Sequence, residues 1–190
     1  MGTREDILRR LRENDMPHVE MPKMDFEPLR FDNAVEAFSR AVESVGGSVA
    51  VFEEEFEALL AREREATGCI ISNVDGVAAD INPDMVADYH ALGGRYTAVL
   101  EARMGVAENG AVWVPQQTRH KAPLFAAERL IVLLNRSAIV ATMQDAFAAE
   151  AFERDFMHGC FVSGPSKTAD IEQALVIGAH GAMGLTVVLR

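Results

Sequence analysis

Five short aliphatic stretches constrain this chain more than any other feature. SVAVF (48–52), CIIS (69–72), ERLIVLLN (128–135), GCFVS (159–163) and LTVVL (185–189) run with hardly a polar break. A strand with one wet face alternates apolar and polar residues, whereas a strand buried on both faces does not. Segments with helical spacing separate these runs. Asn33 is a plausible cap for a helix carrying Val35, Phe38, Val42 and Val45 on one face and ending at Gly46-Gly47. EEEFEALLAREREA (53–66) is an acidic helix that stops before Gly68. Further helices are expected over 82–92, with Pro83 near the start, over 137–156 on Val140, Met143, Phe147 and Ala151, and over 168–179. TAVLEARMGVAENGAVWVP (97–115) reads as two strands about a tight turn. The expected fold class is α/β: a mostly parallel sheet with helices on both faces and an inserted β-hairpin.

The first residues differ from the rest. Residues 3–14 give a short amphipathic helix, with Ile7, Leu8 and Leu11 on one face and Arg4, Arg9, Arg10 and Arg12 elsewhere. MPHVEMPKMDFEPLRF (16–31) holds Pro17, Pro22 and Pro28 and has no period, so it reads as an extended tether. The expected organisation is an N-terminal arm over 1–31 and one α/β domain over 32–190. A detached helix of this kind is expected to dock on its own domain, on a twin subunit in a homo-oligomer, or on another partner.

Composition narrows the function classes. With a net charge of −11 and no basic block beyond a few N-terminal arginines, a nucleic-acid role lacks its electrostatic footprint. No apolar run approaches the ~20 residues that span a bilayer. The opening residues are charged rather than apolar, unlike a signal peptide, so a cytoplasmic location is expected. Cys69 and Cys160 sit in apolar runs with no CxxC partner, which predicts buried, reduced thiols rather than a disulfide or a cysteine-held iron–sulfur cluster. His18, His90, His120, His158 and His180 show no ligand spacing. Neither a metal nor a cofactor held by this chain is expected.

Two stretches carry candidate chemistry. Glu108-Asn109-Gly110 is first of all a turn, because Asn-Gly readily accepts positive φ. Its functional reading makes Glu108 a base or nucleophile placed at a strand end beside a cleft. The second stretch is SGPSKTADIE, Ser163 to Glu172. If Thr168 caps a helix, the first N–H groups of that helix face Gly164, Pro165, Ser166 and Lys167 and attract an anionic small molecule. Asp170 and Glu172 would compete for the same positive end. A self-satisfied cap and a partner-docking loop are the alternatives. Strand 159–163 would deliver its loop at the carboxyl ends of the sheet, where ligand crevices open. Glu108, Asn109 and Gly110 are therefore expected to share one cleft with Ser163 to Thr168 and Asp170.

Taken together, Ala107 to Gly110, Ser163 to Glu172, Gly178 to Gly181 and Leu185 to Leu189 resemble the LUD domain of the lactate-utilisation protein C (LutC/YkgG) family. There, an Ala-Glu-x-Gly turn is followed much later by Ser-Gly-Pro-Ser-x-Thr-Ala-Asp-Ile-Glu, a Gly-x-His-Gly element and a final apolar strand. The resemblance implies a NagB/RpiA/CoA-transferase-like fold. It also implies a place in a system oxidising L-lactate to pyruvate, with iron–sulfur sister proteins as partners. Two departures stand out: Asn109 replaces a usual Thr, and Glu128-Arg129 stands where a Pro-x-x-His-Ile stretch is usual. Glu108-Asn109-Gly110 further resembles the Ser-Glu-Asn-Gly turn of CoA-transferases, whose glutamate accepts the acyl group. Two functions stay open: an accessory subunit of the lactate-oxidising system, or a ligand binder or CoA-transferase- or isomerase-like enzyme using Glu108.

Overall fold

A computed structural model describes residues 3–13, 19–20, 27–149, 158–169, 175–178 and 180–190. Helix α1 (Arg4–Glu13) stands in the arm, and none of its residues is buried. The domain then runs α2 (Ala34–Ser44), β1 (Ser48–Val51), α3 (Phe52–Thr67), β2 (Ile70–Ile71), β3 (Thr97–Ala102), β4 (Met104–Val106) and β5 (Ala111–Pro115). It continues through α4 (Ala122–Phe125), β6 (Arg129–Leu134), β7 (Ile139–Val140), α5 (Met143–Ala148), β8 (Gly159–Val162), β9 (Lys167–Ala169), β10 (Leu175–Ile177) and β11 (Gly184–Leu189).

The main sheet has the order β1-β11-β6-β3-β2, and every pair in it is parallel. Its apolar runs are continuous because each face has a cover. Val99 of β3, Ile131 and Leu133 of β6 and Val188 of β11 pack under Phe56, Leu59 and Leu60 of α3. The alternate residues, among them Leu100, Val132, Leu134 and Val187, turn the other way and meet Phe38 and Val42 of α2 with Val112 and Val114 of β5. Full burial of one such side chain stabilises the fold by about 1.5–3 kcal/mol. α2 begins as expected, with the Asn33 side chain accepting from Glu36 N–H at 3.1 Å, and α3 ends at Gly68 with φ +81°.

A second sheet, β7-β4-β5-β8, lies against α2 and the main sheet. The 97–115 stretch is therefore three strands rather than two: β3 belongs to the main sheet, and only β4 and β5 form the hairpin. The chain changes sheets at Arg103, whose N–H bonds to Trp113 O at 3.0 Å. β4 then tracks α2 towards its carboxyl end. A Cβ on Gly105 would meet Phe38, and one on Gly110 would meet Ala41 and Val42.

Among the described residues, three expected helices are replaced in whole or in part by other structure. Over 82–92 there are two 3-10 turns, Pro83–Met85 and Tyr89–Leu92, because the Asn82 and Asp88 side chains take the N–H groups two residues ahead. Over the described residues 137–149 the helix covers only α5. The β-branched Ile139 and Val140 pair with β4, and a capping box between Thr142 and Asp145 starts the helix there. Residues 150–157 lie outside the described residues. Within 168–179 the described residues form an antiparallel pair instead, with Thr168 opposite Val176 and Lys167 opposite Ile177. Thr168 is thus a strand residue and no cap. Asp170 and Glu172 lie outside the described residues.

Candidate functional site

The turn over 107–110 is held by main-chain bonds on both sides. Gly110 N–H reaches Val106 O at 2.9 Å, while Ala107 and Glu108 donate to Val140 O and Ala141 O at 2.9 and 3.1 Å. The Asn109 side chain accepts from Ala111 N–H at 3.0 Å, and Gly110 takes φ +65°. A Cβ at Gly110 would stand 2.6 Å from Val42 N, so glycine lets the turn rest directly on the α2 backbone. Glu108 is exposed at this turn.

The loop after β8 reaches the same end of α2. A Cβ on Gly164 would lie 2.5 Å from Val45 O, and Lys167 Nζ donates to that same oxygen. Lys167 therefore supplies a cation to the negative carboxyl end of α2. Ser166 N–H donates to Ala182 O at 2.8 Å, and Ser166 O accepts from Gly178 N–H at 2.9 Å. Gly164 and Pro165 are buried. The loop is a packed joint that opens no helix among the described residues, so the expected ring of N–H groups facing an anion is absent from them. The loop also lies at the amino ends of the parallel strands, because Ala182 precedes β11 and Val45 precedes β1. The expected placement at the carboxyl ends is corrected by this, and its cause is the doubling back of β4 and β8 over the sheet.

The two stretches meet at one point: Ser163 Oγ donates to Asn109 O at 2.8 Å. Beyond the loop lies a cavity of about 350 Å³, walled by Leu124, Leu130, Cys160, Val162 and Ala182, with Ser163 to Lys167 along its rim. Glu108, Asn109 and Gly110 do not line it. Cys160 contributes a free, half-buried thiol, whose pKa is pushed up by burial. Cys69 is also free; burial first and the Asp80 charge second raise its pKa. Among the described residues no three His, Cys, Asp or Glu side chains converge as a metal site would need. No described helix is long and apolar enough to cross a membrane. The sequence reading missed the opposite wall. Leu124 and Phe125 come from α4, a single turn whose only signal was Pro123 at its start.

Comparisons with known proteins bear on this arrangement. Residues 96–189 match the LUD domain, from just before β3 to the end of β11. A lactate utilization protein C of Oceanobacillus iheyensis is 35% identical over 66 residues, which is 31% of this chain and 28% of that protein. The match thus spans less than a third of that relative's length. A crystal structure of a DUF162 family protein from Deinococcus radiodurans superposes with a TM-score of 0.65, covering 85% of this chain and 99% of the other at 16% identity. That likeness shows the α/β fold. The Ala107–Gly110 turn, the Ser163–Lys167 loop and β11 all lie inside the matched segment, and residues 96–189 are what this chain shares with the LUD-domain family.

Proposed function

We propose that this chain is an accessory subunit of a cytoplasmic system that oxidises L-lactate to pyruvate, with iron–sulfur sister proteins taking the two electrons. The carrying observation is the joint match to the LUD domain and to a lactate utilization protein C. In this reading the chain binds no cofactor and contributes surface and positioning. The test measures lactate-dependent reduction of a dye acceptor by this chain, by the iron–sulfur proteins, and by the mixture. Activity that needs the mixture supports the reading. Unchanged activity on adding this chain to the iron–sulfur proteins sinks it.

The cavity behind the Ser163–Lys167 rim favours a second reading, since its volume of about 350 Å³ falls within the range of small-ligand sites. Here the chain binds a small anionic molecule along Ser163 to Thr168, and the Glu108 carboxylate, at the neighbouring turn and outside the cavity wall, would have to reach that molecule to act as in a CoA-transferase- or isomerase-like enzyme. Asn109 and Gly110 would orient Glu108. Turnover by this chain alone, lost in Glu108→Gln without loss of folding, would favour it over the first.

A further inference from the structure

A hollow of about 380 Å³ lies between α3 and the outer strand β1 of the main sheet. Its named walls belong to α3, β1 and β11, elements described throughout. Ala58 and Leu59 line it on the helix side, Ser48 and Thr186 on the strand side. The Ser48 and Thr186 hydroxyls are 2.9 Å apart and share one hydrogen bond, which leaves one O–H over for another acceptor. Arg62 also lines the hollow and pairs with its neighbour Glu63. Among the described residues Glu63 is the one buried charged residue, at 4% exposure. Its Oε1 accepts from Arg62 Nε and Nη2 at 3.3 and 3.2 Å. Its Oε2 accepts no hydrogen bond from a described residue and faces Arg129 Nε at 3.5 Å. Arg129 leans over Gly184, where an added Cβ would stand 3.7 Å from Nη1. Gly184, Thr186 and Val188 alternate along β11, so Gly184 and Thr186 share the α3 face on which Val188 packs. One buried carboxylate thus holds two guanidiniums that are 68% and 44% exposed.

We propose that this corner binds the phosphate group of a small phosphate monoester, whose remainder lies along the hollow. Two guanidiniums against one carboxylate leave a net charge of +1. A buried carboxylate with one oxygen unbonded lowers stability. What it provides is orientation: Arg62 and Arg129 are held with their outer N–H groups towards solvent, so less side-chain freedom is lost on binding. A guanidinium fork matches phosphate oxygens two at a time. Two forks and a hydroxyl approach from different directions, which suits the three terminal oxygens of a phosphate better than the two coplanar oxygens of a carboxylate. The far end of the hollow has the opposite sign. Glu54 stands eight residues before Arg62 on α3, ~12 Å of helical rise away. Glu55 beside it already accepts from Val51 N–H at 2.8 Å, so Glu54 is the carboxylate left to receive a donor. The remainder of the ligand therefore carries hydroxyl or ammonium donors and no second anionic group. Neither functional reading above places a ligand at α3, and the site stands apart from both.

Titration calorimetry of the full chain with inorganic phosphate, at constant ionic strength, tests this. Phosphate is expected to bind at one site per chain, and acetate at least about tenfold more weakly. Glycerol phosphate, whose hydroxyls enter the hollow, should bind at least as tightly as inorganic phosphate. Arg62→Gln should weaken phosphate binding by at least about tenfold, and Thr186→Val severalfold. Arg136→Gln, the same charge change beyond the carboxyl end of β6, should leave binding unaltered. No binding at millimolar phosphate, or equal binding of acetate, would overturn the proposal, as would weaker binding of glycerol phosphate. Binding lost in Lys167→Gln and kept in Arg62→Gln would move the anion to the loop after β8 and overturn it too. A second measurement needs no variant, because Arg62→Gln also strips Glu63 of a partner. Phenylglyoxal labels exposed arginines, and mass spectrometry of the unaltered chain locates the labels. Phosphate is expected to slow labelling of Arg62 and Arg129 severalfold. Equal labelling of both with and without phosphate would overturn the proposal.

Discussion

Ser163 and Asn109, 54 positions apart, are joined by one hydrogen bond of 2.8 Å from the serine hydroxyl to the asparagine main-chain oxygen. That bond ties the β4–β5 turn to the loop after β8, and both rest on the carboxyl end of α2. Replacing Ser163 by alanine is expected to lower stability by about 0.5–1 kcal/mol, the low end for a hydrogen bond at an exposed residue. Denaturant unfolding reads this directly. A loss above about 2 kcal/mol would mean that the hydroxyl holds more than this turn.

Gly110→Ala should be far costlier. It combines φ +65° with a Cβ placed 2.6 Å from Val42 N, a main-chain atom that cannot step aside. Gly76→Ala is the control, because φ there is +80° with nothing within 4 Å of the added carbon. The control is expected to cost about 1 kcal/mol for its backbone conformation alone. Gly110→Ala should exceed it by at least about 1–2 kcal/mol. Equal midpoints in thermal unfolding would refute the close packing of the turn on α2.

The two threonines with cap-like contexts should behave differently. Thr142 Oγ1 accepts from Asp145 N–H at 3.1 Å, and Asp145 answers by accepting from Thr142 N–H at 3.2 Å. Thr142→Ala is expected to cost about 1 kcal/mol. Thr168 is an exposed strand residue, so Thr168→Ala should stay within about 0.5 kcal/mol. Matching losses at the two sites would restore a helix at 168.

Asp80 gives the fold an acid-sensitive clasp. Its carboxylate accepts from Ile70 N–H at 2.7 Å and pairs with Arg64 at 3.1 Å, and these contacts, the main-chain bond first, hold its pKa below the usual value. A depressed folded pKa gives stability that is present above the unfolded value near ~3.9 and is lost as pH falls through the folded one. Asp80→Asn should therefore flatten the acid limb of a stability-against-pH curve. Parallel limbs for the two proteins would remove Asp80 from the account.

Cys160 should be a slow thiol. Burial raises its pKa above the ordinary value of 9.0, so the reactive thiolate is scarce at neutral pH. Alkylation followed by mass spectrometry is expected to be slower than for a free cysteine at pH 7 and still accelerating at pH 9. Rapid neutral labelling would contradict the burial.

The parallel sheet was legible because β6 and β11 are buried on both faces and so announce themselves as unbroken apolar runs. Asn33 and Gly68 marked helix ends through local chemistry that needs no tertiary partner. The failures lie where long-range pairing decides. Val176 and Ile177 fit a helical period as well as a strand, and their pairing with Thr168 and Lys167 settles the choice. The sharing of α2 by the turn and the loop was equally hidden. It depends on Gly110 and Gly164 meeting Val42 and Val45, contacts over 68 and 119 positions that leave no local pattern. Glu108 was legible as a turn residue, but nothing in the sequence shows that the cavity opens on the other side of Ser163.

The pairing of β1 with β11 sets an order of assembly. Ser48 meets Thr186, 138 positions away, and β11 lies between β1 and β6. As the polypeptide leaves the ribosome, β2, β3 and β6 can associate while β1 waits with its apolar side chains uncovered. The strand that joins β1 to β6 is acquired last. Until residues 184–189 emerge, no strand pairing joins β1 to the β6-β3-β2 ribbon, and that interval is when the nascent domain most needs a chaperone.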